Sequence, residues 1–207
     1  RAVAPTRKQP DARPHPLIRA TREYVARLPA RVKRWERLTP HQRVYATEER
    51  LPHMENGRWL LNVPDGLILT VSDEALTWTL GFLDHVFKAL AMAGVEVVRQ
   101  PGKDREPGSI DCVLGQERLK LSFREGYRRV KLTAAEFAQA KAKQSWAKEW
   151  EYLPSGTFTL TLQGSEHSVS KGWTGNQGKV AALEEEVAET CLLLLESQPQ
   201  RREDRLE

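Results

Sequence analysis

Two alternations of period two constrain this chain more than any other feature. Leu119, Leu121 and Phe123 alternate with Arg118, Lys120, Ser122 and Arg124, and Phe158, Leu160 and Leu162 alternate with Thr157, Thr159 and Thr161. Successive side chains of a strand point to opposite faces, so each run describes a strand with one apolar and one polar side. Each run also belongs to a hairpin. Gly115-Gln116 separates the first from Ile110, Cys112 and Leu114, and glycine accepts the positive φ that a two-residue turn demands. Gly164-Ser165 turns the second toward His167-Ser168-Val169-Ser170. A sheet with one apolar face must cover it, which makes helices with apolar stripes the next thing to find.

Leu76, Leu80, Leu83, Phe87 and Leu90 form one helical stripe, and Trp78, Phe82, Val86 and Ala93 form a second. A helix apolar on two stripes is mostly buried. Ser72 or Asp73 caps its start and Gly94 its end. Only the line Thr77, Gly81, Asp84, Lys88 is expected to be exposed, with Asp84 and Lys88 as an i,i+4 ion pair. Thr133 and Glu136 have capping-box spacing, predicting a helix through Phe137 and Trp146 to about Trp150. A last helix is predicted from about Lys179, with Val180, Leu183, Val187, Cys191 and Leu194 inward. Short strands are expected at Trp59–Val63, Leu67–Ser72 and Val95–Val98. The expected fold is α+β, a mostly antiparallel sheet built from hairpins with helices packed on one face.

Charge divides the chain further. The 32 Lys/Arg and 28 Asp/Glu give a net charge of +4, but residues 1–50 hold 13 Lys/Arg against 5 Asp/Glu and residues 51–207 hold 19 against 23. A +8 segment therefore precedes a body of net −4. Residues 1–16, with four prolines and four basic residues, read as an extended linker. Residues 17–50 read as a basic helical arm. Leu17, Thr21, Tyr24, Val25 and Leu28 recur along it at helical spacing, and Arg19, Arg22, Arg27, Arg31 and Arg34 occupy much of its surface. Pro29 is expected to end or kink this helix before a second piece with Val32, Trp35 and Leu38. Residues 51–207 form the α+β domain with its C-terminal helix.

Several function classes lack their residues. No apolar run approaches the ~18 residues of a membrane helix, and the start has no signal-peptide core. Two cysteines, Cys112 and Cys191, are too few for a disulfide framework, so a reducing cytoplasm is expected, with one Cys112–Cys191 bridge as the alternative. The five histidines make no metal-binding pair, and no cofactor or metal is expected. There is no Gly-x-Ser-x-Gly elbow. Cys112 paired with His85 or His167 is a conceivable nucleophile, but its inward strand position marks it as a core residue. Gly172-Trp173-Thr174-Gly175-Asn176-Gln177-Gly178-Lys179 resembles a phosphate loop between a strand and a helix. Gly172 stands one position early, however, and Val180 replaces the metal-binding hydroxyl. What remains is a helix N-terminus with Lys179 beside it.

Basic residues interleaved with aromatics carry the functional expectation. Arg118, Lys120 and Arg124 share a strand face; Arg128, Arg129 and Lys131 follow; Lys141, Lys143 and Lys148 surround Trp146 and Trp150. Such residues neutralise phosphates and stack on bases. With Arg19, Arg22 and Lys179 they make up the expected nucleic-acid surface of a non-enzymatic domain. The alternative is a protein-interaction or assembly module, including self-assembly, that uses tryptophans and helices; outward strand charges also serve to prevent edge aggregation.

Three stretches, His15-Pro-Leu-Ile-Arg-Ala-Thr-Arg, Trp150-Glu-Tyr-Leu-Pro-Ser-Gly-Thr-Phe-Thr-Leu and Lys171-Gly-Trp-Thr-Gly-Asn-Gln-Gly-Lys, together resemble the middle region of uncharacterised bacterial proteins often carried on mobile elements. The resemblance spans roughly residues 13–207. It implies a preceding helix-turn-helix-like segment joined through residues 1–16, a long Arg/Glu-rich helical tail beginning at RREDRLE, and a DNA-associated role. It brings no catalytic residues.

Overall fold

The elements along the chain are α1 (Pro16–Arg37), α2 (Pro40–Tyr45), β1 (His53–Glu55), β2 (Arg58–Asn62), β3 (Ile68–Val71), α3 (Asp73–Met92), β4 (Glu96–Gln100), β5 (Ser109–Leu114), β6 (Glu117–Lys131), α4 (Ala134–Lys143), β7 (Trp150–Gly164), β8 (Ser170–Asn176), α5 (Gln177–Ala181) and α6 (Glu184–Glu196). The computed structural model describes residues 13–45, 51–102, 108–144, 146–164 and 170–197. The expected linker up to residue 12, the turn residue Ser165, His167 to Val169 of the return run and the charged tail lie outside the described residues.

The two alternations become β6 and β7, the longest strands. β7 runs antiparallel along one whole edge of β6, from Leu119 opposite Gly164 to Lys131 opposite Trp150, with an irregularity between Glu125 and Tyr127. The other edge of β6 is shared. β5 pairs antiparallel with Glu117 to Leu121, and β3 pairs parallel with Phe123 and Arg124. β4 continues beyond β5, β2 and β1 beyond β3, and β8 beyond β7. Among the described residues every pairing except β3–β6 is antiparallel and the sheet has eight strands, so the architecture is α+β with a mostly antiparallel sheet.

Leu119, Leu121 and Phe123 of β6 and Phe158, Leu160 and Leu162 of β7 are all buried, as their spacing predicts. Each fully buried side chain of this size contributes about 1.5–3 kcal/mol. α3 and α6 cover this face. Trp78 of α3 lies over Phe158 at 4.8 Å and against Phe82 at 5.6 Å, which fixes the helix on the sheet through an aromatic cluster.

α1 is continuous through Pro29, where the sequence predicts a break. Proline's fixed φ suits a helix, and the cost lies in the missing N–H that leaves the Val25 carbonyl without its helical partner. Contacts on both sides of Pro29 hold the halves in line: Leu28 is buried, and the Arg31 guanidinium sits 4.8 Å over the Tyr24 ring. The N-terminal half docks on the body. Ile18 is fully buried, the His15 ring meets Phe87 edge-on at 5.0 Å, and the His15 N–H donates to Asp84 Oδ1 at 2.7 Å. Asp84, expected on the exposed line of α3, is therefore buried, although its ion pair with Lys88 forms as expected at 2.8 Å. Thr21 Oγ1 donates to the Leu17 carbonyl and accepts from Leu67 N–H, tying α1 to the turn before β3. That turn needs Gly66, since a Cβ there would stand 2.7 Å from both Thr21 Oγ1 and Val63 Cγ1.

Two helix boundaries differ from expectation. α4 starts with the complete Thr133–Glu136 capping box but ends at Lys143, and Trp150 opens β7 instead of closing the helix. Pairing of Trp150 with Lys131 extends the ladder and outweighs the helical spacing of Trp146 and Trp150. The last helix divides into α5 and α6 at a turn in which Leu183 N–H donates to the Val180 carbonyl. Val187, Ala188, Cys191 and Leu195 are the buried residues of α6, with Leu195 rather than Leu194 fully buried.

Candidate nucleic-acid interface

Past Glu125 the β6–β7 pair leaves the core. No described residue between Arg124 and Thr157 belongs to the hydrophobic core, and α4 buries none of its side chains. Tyr127 to Lys131 and Trp150 to Pro154 pair only with each other, forming a two-stranded ribbon that carries α4 at its end. The ribbon's root is a buried polar joint. The Glu125 carboxylate, 2% exposed, accepts Ser72 N–H at 2.7 Å and Gly156 N–H at 3.2 Å. The buried Arg58 guanidinium donates to the Glu125 carbonyl and lies 4.9 Å over the Tyr127 ring. Arg58 reaches this joint from a hairpin whose turn residues Asn56 and Gly57 both have positive φ, 52° and 71°, with Gly57 set against Pro154.

Register assigns the ribbon's faces. Tyr127, Arg129 and Lys131 are opposite Pro154, Tyr152 and Trp150, so all six share one face. Tyr127 and Tyr152 meet edge-on at 5.2 Å; the Arg129 guanidinium lies 3.9 Å over the Trp150 ring and Lys131 Nζ 5.9 Å from it. Arg128 falls on the opposite face from Arg129 and Lys131. At the far end Leu132 N–H donates to the Glu149 carbonyl, and a turn closed by Ala147 N–H on the Gln144 carbonyl presents Trp146. Trp146 is 74% exposed, with exposed Lys143 and Lys148 close by in sequence. Trp146, Trp150, Lys143, Lys148, Leu132 and Glu136 are among the residues lining an open groove of about 670 Å³.

The other expected site residues lie elsewhere. Arg118, Lys120 and Arg124 are exposed on the outer sheet face, the side away from α3 and α6. They join a hydroxyl-rich surface there: Ser122 Oγ meets Thr161 Oγ1 at 2.6 Å, and Arg124 stands opposite Thr159, whose hydroxyl meets Thr174 at 3.3 Å. Lys120 is also opposite Asp111 of β5. Arg19 and Arg22 are exposed on α1, which packs against α3 on the covered side of the sheet. They therefore do not share the outer sheet face. Lys179 lies in the single turn of α5, and its N–H is already taken by the Asn176 side chain at 3.0 Å. The phosphate-loop resemblance ends here as well, because Gly172 to Asn176 are part of edge strand β8 rather than a loop.

Sequence reasoning missed the Tyr127–Tyr152 pair and Arg58. The signal was the period-two order Tyr127, Arg129, Lys131 and Trp150, Tyr152, Pro154, obscured by the helical spacing of the two tryptophans.

Cys112 on β5 and Cys191 on α6 are free, fully buried and within hydrogen-bonding reach of each other. The Cys191 thiol and burial push the Cys112 pKa well above its usual value, so its thiolate is suppressed. Among the described residues no three His, Cys, Asp or Glu side chains cluster as metal ligands, and no helix is long and apolar enough to cross a membrane. No protein-family model, curated protein or solved structure matches the chain.

Proposed function

We propose that this chain is a non-enzymatic domain of a bacterial DNA-associated protein and that it holds nucleic acid mainly at its phosphates. The observation that carries this reading is the ribbon: Arg129 and Lys131 with three aromatic rings on one face, ending at Lys143, Trp146 and Lys148. A protruding element that buries no apolar side chain of its own helix contributes little to the core, and its composition suits a polyanion. Arg118, Lys120 and Arg124 supply a second phosphate-binding surface among hydroxyl groups that also donate to phosphate oxygens. A shift assay across a salt series on single- and double-stranded DNA and RNA tests the reading, with affinity expected to fall steeply as salt rises. Absence of binding at low salt overturns it. Alanine at Arg118, Lys120 and Arg124 together is expected to weaken binding while leaving the far-ultraviolet circular dichroism unchanged; unchanged binding removes the sheet face from the site.

A protein-assembly reading draws on a different surface. Leu193 is 65% exposed and Met92 46% exposed, and Met92 and Leu192 line a groove between α3 and α6. Sedimentation across a concentration series distinguishes this reading through self-association that a Leu193→Glu substitution abolishes.

A further inference from the structure

Resting on the phosphate-binding reading, we infer that the ribbon tip is a stacking site for an unpaired nucleobase, so that the preferred ligand is single-stranded nucleic acid. The six tryptophans of this chain are not equivalent. Trp78 is stacked in the core, Trp59 donates to Asp73, Trp173 is buried and donates to Glu186, Trp35 lies beneath Arg43, and Trp150 is covered by Arg129. Trp146 differs from all of them. Among the described residues its indole has no hydrogen bond, ring contact or cation over it, and it is 74% exposed.

An indole offers a duplex little. Paired bases present edges in the grooves, where recognition uses donor and acceptor combinations, and tryptophan has one donor and no acceptor. Base faces are accessible only in unpaired strands, where stacking on an aromatic ring is strong and tolerant of sequence. The surroundings suit that use. Lys143 and Lys148 lie near Trp146 to take flanking phosphates, and Arg129 and Lys131 continue the positive charge down the ribbon. The groove between Trp146 and Trp150, about 670 Å³, falls within the size range of small-molecule sites. Six Lys/Arg against three Glu between Tyr127 and Tyr152 make the ribbon and its tip positive, in contrast to the net-negative body, and favour a polyanion over a basic or apolar protein surface.

Fluorescence anisotropy on the full chain tests this with labelled oligo-dT, oligo-U of the same length and a mixed-sequence duplex. Both single strands are expected to bind more tightly than the duplex, and the tighter of the two identifies DNA or RNA as the strand. Trp146→Ala is expected to lower single-strand affinity roughly 5- to 150-fold, the range for loss of one stacked base, with duplex affinity unchanged. Trp146→Phe is expected to recover most of the loss. Circular dichroism of both variants should match the parent, because the side chain buries little. Equal affinity for strand and duplex, or a Trp146→Ala variant that binds oligo-dT and oligo-U like the parent, overturns the stacking site while leaving phosphate binding intact. Self-association that depends on Trp146, with no effect on oligonucleotides, overturns it in favour of a protein contact. No binding of any probe at low salt overturns the phosphate reading beneath it.

Discussion

Asp84 lies among two cations and one backbone amide. Lys88 Nζ is 2.8 Å from its carboxylate, the His15 N–H donates to it, and the Arg22 charge is near. Burial works to raise its pKa, but the Lys88 and His15 hydrogen bonds and the two positive charges outweigh burial and hold it below the usual 3.8. A carboxyl whose pKa is lower folded than unfolded stabilises the fold above the unfolded value, and that contribution is lost as pH falls through the folded value. His15 acts in the same sense. Burial, opposed by the Asp84 charge, lowers its pKa from 6.5, so protonation favours the unfolded chain below that range. Urea titration is therefore expected to show stability falling as pH drops below about 6 and again below about 4. Asp84→Asn should be less stable than the parent near neutral pH by about 1–3 kcal/mol and should lose the lower of these two dependences. A second residue of this kind is Glu125. Its substitution by alanine leaves the Ser72 and Gly156 N–H groups without their acceptor, and a loss of about 2–3 kcal/mol in denaturant unfolding is expected. Beyond the Asp84–Lys88 pair neither role is legible from sequence, because His15 lies 69 positions from Asp84, and Ser72 and Gly156 lie 53 and 31 positions from Glu125.

The same distinction holds among the elements. α3, β5, β6 and the α4 capping box follow from local spacing, and their residues alternate or recur as predicted. The elements misread locally are those whose state depends on a partner. Trp150 fits a helix until Lys131 offers it a strand, and Pro29 reads as a helix end until the contacts on either side of it keep the chain straight. If α1 holds its course despite Pro29, then Pro29→Ala restores a hydrogen bond to the Val25 carbonyl at no packing cost. An increase in stability of about 1–3 kcal/mol is expected, read as a higher Tm. A lower Tm would mean that Pro29 contributes through the unfolded chain instead.

At the scale of the molecule, the sheet has one covered face, one open face and a ribbon beyond both. The ribbon's independence from the core leads to a direct expectation. Replacing residues 132–149 with an Asn-Gly turn joins Lys131 to Trp150 across positions already paired, and α4 leaves no cavity behind. The shortened chain should unfold cooperatively with Tm within a few degrees of the parent and should lose oligonucleotide affinity. Marked destabilisation would show that the tip supports the fold.

The amino-acid sequence by itself determined which faces of β5, β6, β7 and α3 are apolar, and through them the α+β class, because side-chain periodicity is a local property that burial rewards wherever the strand ends up. It also located the basic and aromatic residues. Only the tertiary structure decided how those residues are divided. Register places Arg129 and Lys131 with Trp150 and turns Arg128 away; docking of α1 on α3 separates Arg19 and Arg22 from the outer sheet face; and the turn closed by Ala147 N–H on the Gln144 carbonyl leaves Trp146, alone among the tryptophans, with no partner over its ring among the described residues. Each of these depends on contacts between segments distant in sequence or on the course of a turn, which no periodicity encodes.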